Sequence, residues 1–96
     1  MRLFFLSYAG SDPDRIARRL DAGGVPGHTR LAPAHGHGLT GPREGTRVWP
    51  GEVTVFTAVV PDDRATALAD LLRAESATLP IGERLHVAVL PVEEFF

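Results

Sequence analysis

The 96-residue chain is predicted to fold as an α+β domain, a ferredoxin-like βαββαβ sandwich with a four-stranded antiparallel sheet and two helices on one face. Three observations predict it. A strand-helix-strand pattern occurs twice, the helical stretch of each unit carries its own start signals, and a Gly/Pro-rich segment separates the two units. At this length there is room for one core and a single domain spanning residues 1–96, which buries roughly 60–65% of the unfolded surface.

Residues 2–9 (RLFFLSYA) are apolar, aromatic and bounded by Gly10, the character of a central strand. In residues 11–24, Ser11 or Asp12 can cap the first amides and Pro13 suits the first helical turn. Ile16 and Leu20 share a face at i, i+4, and Gly23-Gly24 ends the helix. A turn through Pro26 and Gly27 then feeds an extended segment, in which Pro33 argues for a sheet edge or a bulge because it cannot donate to a ladder.

Residues 36–51 carry glycines at 36, 38, 41, 45 and 51 and prolines at 42 and 50, a composition that resists helix and strand alike. This segment is predicted to be a loop. Residues 51–60 (GEVTVFTAVV) form the clearest strand and residues 61–75 the clearest helix, with Ala65, Leu68 and Leu72 on one face and Asp62 and Asp63 at its positive end. Residues 83–92 supply the last strand.

Both faces of the strands are apolar. Leu3 and Phe5 alternate with Phe4 and Leu6, Val53 and Val55 with Phe56 and Ala58, and Leu85 and Val87 with Ala88 and Leu90. With both helices on one side, the other side needs cover, so an oligomer is expected.

Composition removes several functions. Without cysteine there are no disulfides, thiolate nucleophiles or Cys-ligated metals, and the chain is compatible with a reducing cytoplasm, where it is expected to work. All ten basic residues are arginine, which excludes Schiff-base chemistry and a P-loop lysine. They are scattered from Arg2 to Arg84 in a chain of formal charge −2, with no stripe to track a nucleic acid. Leu3–Leu6 is too brief for a signal-peptide core, and no segment approaches the ~20 apolar residues of a membrane span. The carboxylate pairs Asp62-Asp63 and Glu93-Glu94 are adjacent and tend to point apart, and no Ser-His-Asp arrangement has a supporting motif, so no enzyme is expected.

The sequence resembles the PII signalling proteins and their PII-like relatives, which share a fold with the CutA proteins. Gly24–Thr29 (GVPGHT) looks like the approach to the family's second strand, and Gly36-His37-Gly38 falls where the family has G-x-G at the base of its T-loop. VVPDD at 59–63 resembles the step from third strand to second helix. Ile81-Gly82, Leu85-His86-Val87 and Pro91–Glu94 resemble the B-loop and last strand. The resemblance implies a homotrimer that binds a small effector, often an adenine nucleotide, in clefts between subunits and engages a partner protein through its T-loop. It assigns Thr29, Gly36, His37, Gly38 and Gly82 to the cleft, with Arg84 the basic side chain near the B-loop. The departures are specific: Leu39-Thr40 replaces the polar Arg-Gln pair after G-x-G, the B-loop has no lysine, the 36–51 segment has no tyrosine, and the C-terminal arginines are missing. The cofactor or effector is left unnamed by the residues themselves.

Independently of the resemblance, Arg43 and Arg47 can clamp phosphate or carboxylate through bidentate hydrogen bonds, or remain solvated, and Trp49 can anchor the loop on a neighbouring subunit. Gly36 and Gly38 permit positive φ and close approach of an anion to backbone amides, or merely make a bend. His35 and His37, one residue apart, lie on the same side of an extended chain, within chelating reach of one divalent ion. This supports the alternative of a CutA-type metal-binding protein; a third ligand from His28 or a neighbouring subunit would be needed. His86, inside an apolar strand, is expected to be buried and hydrogen-bonded.

Overall fold

The computed structural model describes residues 1–38, 41–43 and 53–96. Its elements are β1 (Arg2–Ala9), α1 (Pro13–Ala22), β2 (Thr29–Ala34), β3 (Gly36–Gly38), β4 (Gly41–Arg43), β5 (Val53–Val60), α2 (Asp62–Ala77) and β6 (Arg84–Pro91). The main sheet has the order β2-β5-β1-β6 with every pairing antiparallel, so the two strands joined across each helix are parallel to one another and separated by one strand of the other unit. This is the split β-α-β arrangement read from the sequence.

Strand parity decides what is inside. Phe4, Leu6 and Tyr8 of β1 and Phe56, Ala58 and Val60 of β5 turn toward the helices, where they meet Ile16 and Leu20 of α1 and Ala65, Leu68 and Leu72 of α2. Those helical positions recur at three- and four-residue spacing, so each helix lays one stripe on the sheet. Fully burying each large apolar side chain contributes about 1.5–3 kcal/mol, which makes this layer the main source of stability.

The opposite parity forms the open face. In register across the sheet, Thr29, Thr57, Phe5 and Ala88 make one row, and Val59, Leu3 and Leu90 the next. Leu31, Phe5 and Leu90 remain 56%, 43% and 44% exposed. His86 belongs to this face. It is exposed rather than buried, because it follows Arg84 by two and precedes Ala88 by two, whereas Leu85 and Val87 carry the inward parity.

Pro33 has both consequences expected of it. β2 is an edge strand, and its ladder with β5 shifts register between Leu31 and Ala34. The expectation of a wholly irregular 36–51 segment needs correction. Gly36 pairs with Arg43, His37 with Pro42 and Gly38 with Gly41 in a two-stranded antiparallel ladder. Glycine-rich composition weakens strand propensity, but a ladder three pairs long is held by backbone groups that glycine supplies as well as any residue.

The helix starts also depart from expectation. Asp12 occupies the N-cap of α1 and Pro61 that of α2, and neither helix has a side-chain cap hydrogen bond. Asp62 instead meets the Met1 amine at 2.9 Å, which together with Arg2 holds its carboxyl below the usual range.

Candidate functional site

One end of the sheet gathers most of the residues expected to bind an effector. Ala34 pairs with Val53, Val53 with Ala9 and Ala9 with Arg84, so the C-terminal end of β2 and the N-terminal end of β6 share that end. Gly36 lies directly beyond β2, so close to β5 that a Cβ there would stand 3.2 Å from Val53 Cγ2. The Arg43 backbone faces it across the β3–β4 ladder. On the far edge, Gly82 adopts φ 90°, a left-handed conformation that favours glycine, in a turn closed by the Glu83 amide donating to the Pro80 carbonyl at 3.0 Å. The Arg84 guanidinium donates to the Glu83 carbonyl at 3.2 Å.

Among the described residues these two clusters do not touch within one chain. They occupy opposite edges of a four-stranded sheet, a separation of ~14 Å at ordinary strand spacing. Thr29 is further removed. It pairs with Thr57, four residues along β5 from Val53 and hence ~13 Å from the Gly36 end. There, with Gly27, His28, Thr57 and Leu3, it lines an open cavity of 520 Å³. Reasoning from sequence assigns Gly27 only a place in a turn and His28 only that of a candidate third metal ligand, although both stand inside the GVPGHT stretch. The side chains of His37 and Arg43, and Leu39, Thr40, Arg47 and Trp49 altogether, lie outside the described residues.

The residues that reasoning from sequence missed lie behind the Gly82 turn. The Tyr8 hydroxyl, fully buried, donates to Glu83 Oε1 at 2.7 Å and accepts from the Asp12 amide at 3.2 Å. The Ser11 hydroxyl donates to Glu83 Oε2 at 3.3 Å, and the Ser11 amide approaches the same oxygen at 3.5 Å. Burial, followed by the hydrogen bond to Glu83, pushes the Tyr8 phenol up to about 12. Gly10 makes this contact possible: a Cβ at that position would fall 2.1 Å from the Tyr8 hydroxyl oxygen. Tyr8 and Glu83 are 75 positions apart, so no local pattern announces them; a lone tyrosine ending a strand just before a glycine is the only signal.

A second polar cluster joins the helices. Glu75 of α2 is buried, and its carboxylate accepts from Arg15 Nε and, at 2.8 Å, from Arg19 Nε of α1. Arg15 also donates to the Thr78 hydroxyl at 2.9 Å, and its hydrogen bond to Glu75 raises the guanidinium pKa further. Among the described residues no group of three or more His, Cys, Asp or Glu side chains is placed to hold a metal ion; His35 is exposed at the start of the ladder segment. No helix among the described residues is long and apolar enough to cross a membrane.

Comparison with solved structures places this architecture. CPII from Thiomonas intermedia K12, a nitrogen regulatory PII-like protein, bound to ADP, AMP and bicarbonate, matches with a TM-score of 0.66 and 20% identity over 98% of this chain and 91% of that one. The chain has the PII-like fold. The same protein bound to ADP and bicarbonate gives a TM-score of 0.65 at 21% identity, again over 98% and 91% of the two chains. Its apo form gives 0.59 at 17% identity, over 96% and 92%. No protein-family model matches the chain, and no curated protein sequence matches it. The PII-like fold therefore rests on the shape of the backbone, with few side chains shared.

Proposed function

We propose that this chain is a divergent PII-like regulatory protein of the cytoplasm, a homotrimer that binds a small effector between subunits and signals to a partner protein through the 36–51 segment. The observation that carries the reading is the near full-length match to CPII, a protein seen with ADP, AMP and bicarbonate. The distribution of the site residues supports it. Gly36 with its ladder and Gly82 with Arg84 sit at one end of the sheet but on opposite edges, so a pocket using both requires the edge of one subunit beside the opposite edge of another. The exposed apolar side chains of Leu31, Phe5 and Leu90, spread over three rows of the open face, support assembly through it.

In this reading Gly36 and Gly82 bring backbone amides close to an anionic ligand, Arg84 supplies the positive charge that lysines carry in the family's B-loop, and Thr29 with His28 lines the cavity for an uncharged part. Arg43 and Arg47 are the segment's own phosphate or carboxylate ligands. ADP is the effector class to test first, with bicarbonate as a co-ligand.

The test is thermal denaturation with ADP, AMP and bicarbonate, singly and combined, beside a panel of divalent metals, together with sedimentation of the unliganded protein. A ligand at a hundred times its dissociation constant adds about 2.7 kcal/mol, roughly 10–20 °C in a domain of this size. Stabilisation by ADP in the His35→Ala/His37→Ala double variant supports the nucleotide reading. Stabilisation by metal that the double variant abolishes would replace it with the CutA-type alternative.

A further inference from the structure

The turn at residues 80–84 is anchored from below by a side chain whose chemistry is unusual for its place. Ile81 at its tip is fully exposed, yet two residues later Glu83 is 8% exposed, with both carboxylate oxygens engaged. Among the described residues its side-chain partners are the neutral Tyr8 hydroxyl and Ser11, and no cation there pairs with it directly. Burying a carboxylate on neutral donors costs more than burying an apolar side chain of the same size, so stability alone does not select glutamate here.

Its geometry accomplishes something else. Tyr8 ends β1, and Ser11 and Asp12 lead into α1, so Glu83 ties the turn to two elements at once. With the Glu83 side chain pointing inward, the preceding residue takes the positive φ that only Gly82 adopts freely. The Glu83 carbonyl is left as an acceptor for the Arg84 guanidinium. Gly10 leaves the space in which the Tyr8 hydroxyl and the Glu83 carboxylate meet.

We propose that Glu83 is a positioning residue, which through Tyr8 and Ser11 fixes the 80–84 turn so that Gly82 and Arg84 are held ready for the anionic effector. The effector half of this statement rests on the function proposed above; the anchoring half does not.

The experiment combines ADP titration with amide hydrogen exchange on the full chain, for wild type, Glu83→Ala, Glu83→Gln, Arg84→Ala and the Glu83→Ala/Arg84→Ala double variant. Glu83→Ala leaves the Tyr8 and Ser11 donors without their acceptor, and the expected result is a loss of about tenfold or more in ADP affinity with faster exchange confined to residues 81–84. Glu83→Gln keeps an acceptor oxygen and the same length, and recovers most of both. If Glu83 acts through the turn that presents Arg84, the double variant binds no more weakly than the worse single one; additive losses overturn the proposal. So does wild-type ADP affinity in Glu83→Ala alongside fast exchange at 81–84. Should Glu83→Ala fail to fold, Tyr8→Phe, which removes one of the two ties, is read by the same two measurements. If the wild type binds no ADP, the functional reading falls, and hydrogen exchange alone decides the anchoring: unchanged protection of 81–84 in Glu83→Ala overturns it.

Discussion

The Tyr8 hydroxyl and the Glu83 carboxylate meet at 2.7 Å inside the domain, and that hydrogen bond couples the end of the first strand to the turn before the last. It also governs how the protein responds to alkali. Burial and the Glu83 hydrogen bond raise the Tyr8 pKa from 10.0 to about 12, so the folded state holds the phenolic proton more tightly than the unfolded chain. The resulting stabilisation is fully present below pH 10 and is lost as pH rises toward 12. With one tyrosine and no lysine or cysteine in the chain, Tyr8 is the only side chain titrating in that window. Absorbance at 295 nm is expected to show phenolate half-formed near pH 12, or appearing abruptly with unfolding. A midpoint near pH 10 with the fold intact would contradict the burial of this hydroxyl.

Gly10 is predicted to be intolerant of any side chain. A methyl group there would lie 2.1 Å from the Tyr8 hydroxyl oxygen and 2.7 Å from Glu83 Oε1, so Gly10→Ala must push the pair apart. Overpacking of this kind costs about 1–3 kcal/mol, and separating the buried pair adds the desolvation of its polar groups. Denaturant unfolding should therefore show Gly10→Ala clearly less stable than wild type. Gly27→Ala is the control, since a Cβ there meets no atom within 4 Å.

Glu75 should matter more than either arginine it binds. It is 4% exposed, while Arg15 and Arg19 are 26% and 49% exposed at the side chain. Glu75→Ala removes both inter-helix ties and leaves a cavity, at an expected cost of about 2–3 kcal/mol. Arg19→Ala removes one half-exposed partner, and solvent screening holds its cost to about 1 kcal/mol or less. Chemical denaturation of the two variants tests the order; equal losses would mean that the cluster contributes through packing rather than charge.

The sheet and its helices were legible because their determinants are local. Parity within RLFFLSYA and the i, i+4 pair Ile16 and Leu20 are fixed by neighbours a few residues away, and Pro33 carries its edge and bulge preference wherever it stands. The β3–β4 ladder was not legible, since glycines contribute backbone pairing without any side-chain pattern. The same holds for Asp12, whose N-cap position was readable while its lack of a side-chain cap was not: its carboxylate accepts from Arg18 at 3.4 Å, and the neighbouring Ser11 hydroxyl is taken by Glu83, a residue 72 positions away. His86 was misread for a simpler reason. An apolar strand suggests burial on both sides, whereas a sheet with helices on one face buries only one parity in the isolated chain.

The open face supplies the prediction on assembly. Phe5 stands at its centre, between Thr57 and Ala88 on the neighbouring strands, with Leu3 and Ser7 on either side along β1. It is 43% exposed in the single chain, as are Leu31 and Leu90 at comparable levels toward the two edges. Burial of apolar area at about 25 cal/mol per Å² rewards covering this surface with further copies, and a carboxylate in the middle of it would be buried without a partner. Under the proposed function, wild-type protein sediments as a trimer at micromolar concentration and Phe5→Asp as a folded monomer. Because Phe5 points away from the core of Phe4, Leu6 and Tyr8, the variant should keep its helical circular dichroism while losing assembly. If it loses ADP binding with assembly, the result supports the proposed site shared between subunits, with Gly36 and Gly82 on opposite edges of the sheet. A wild type that sediments as a monomer would instead leave the apolar face needing a different cover, and the two-edged pocket would have to be abandoned.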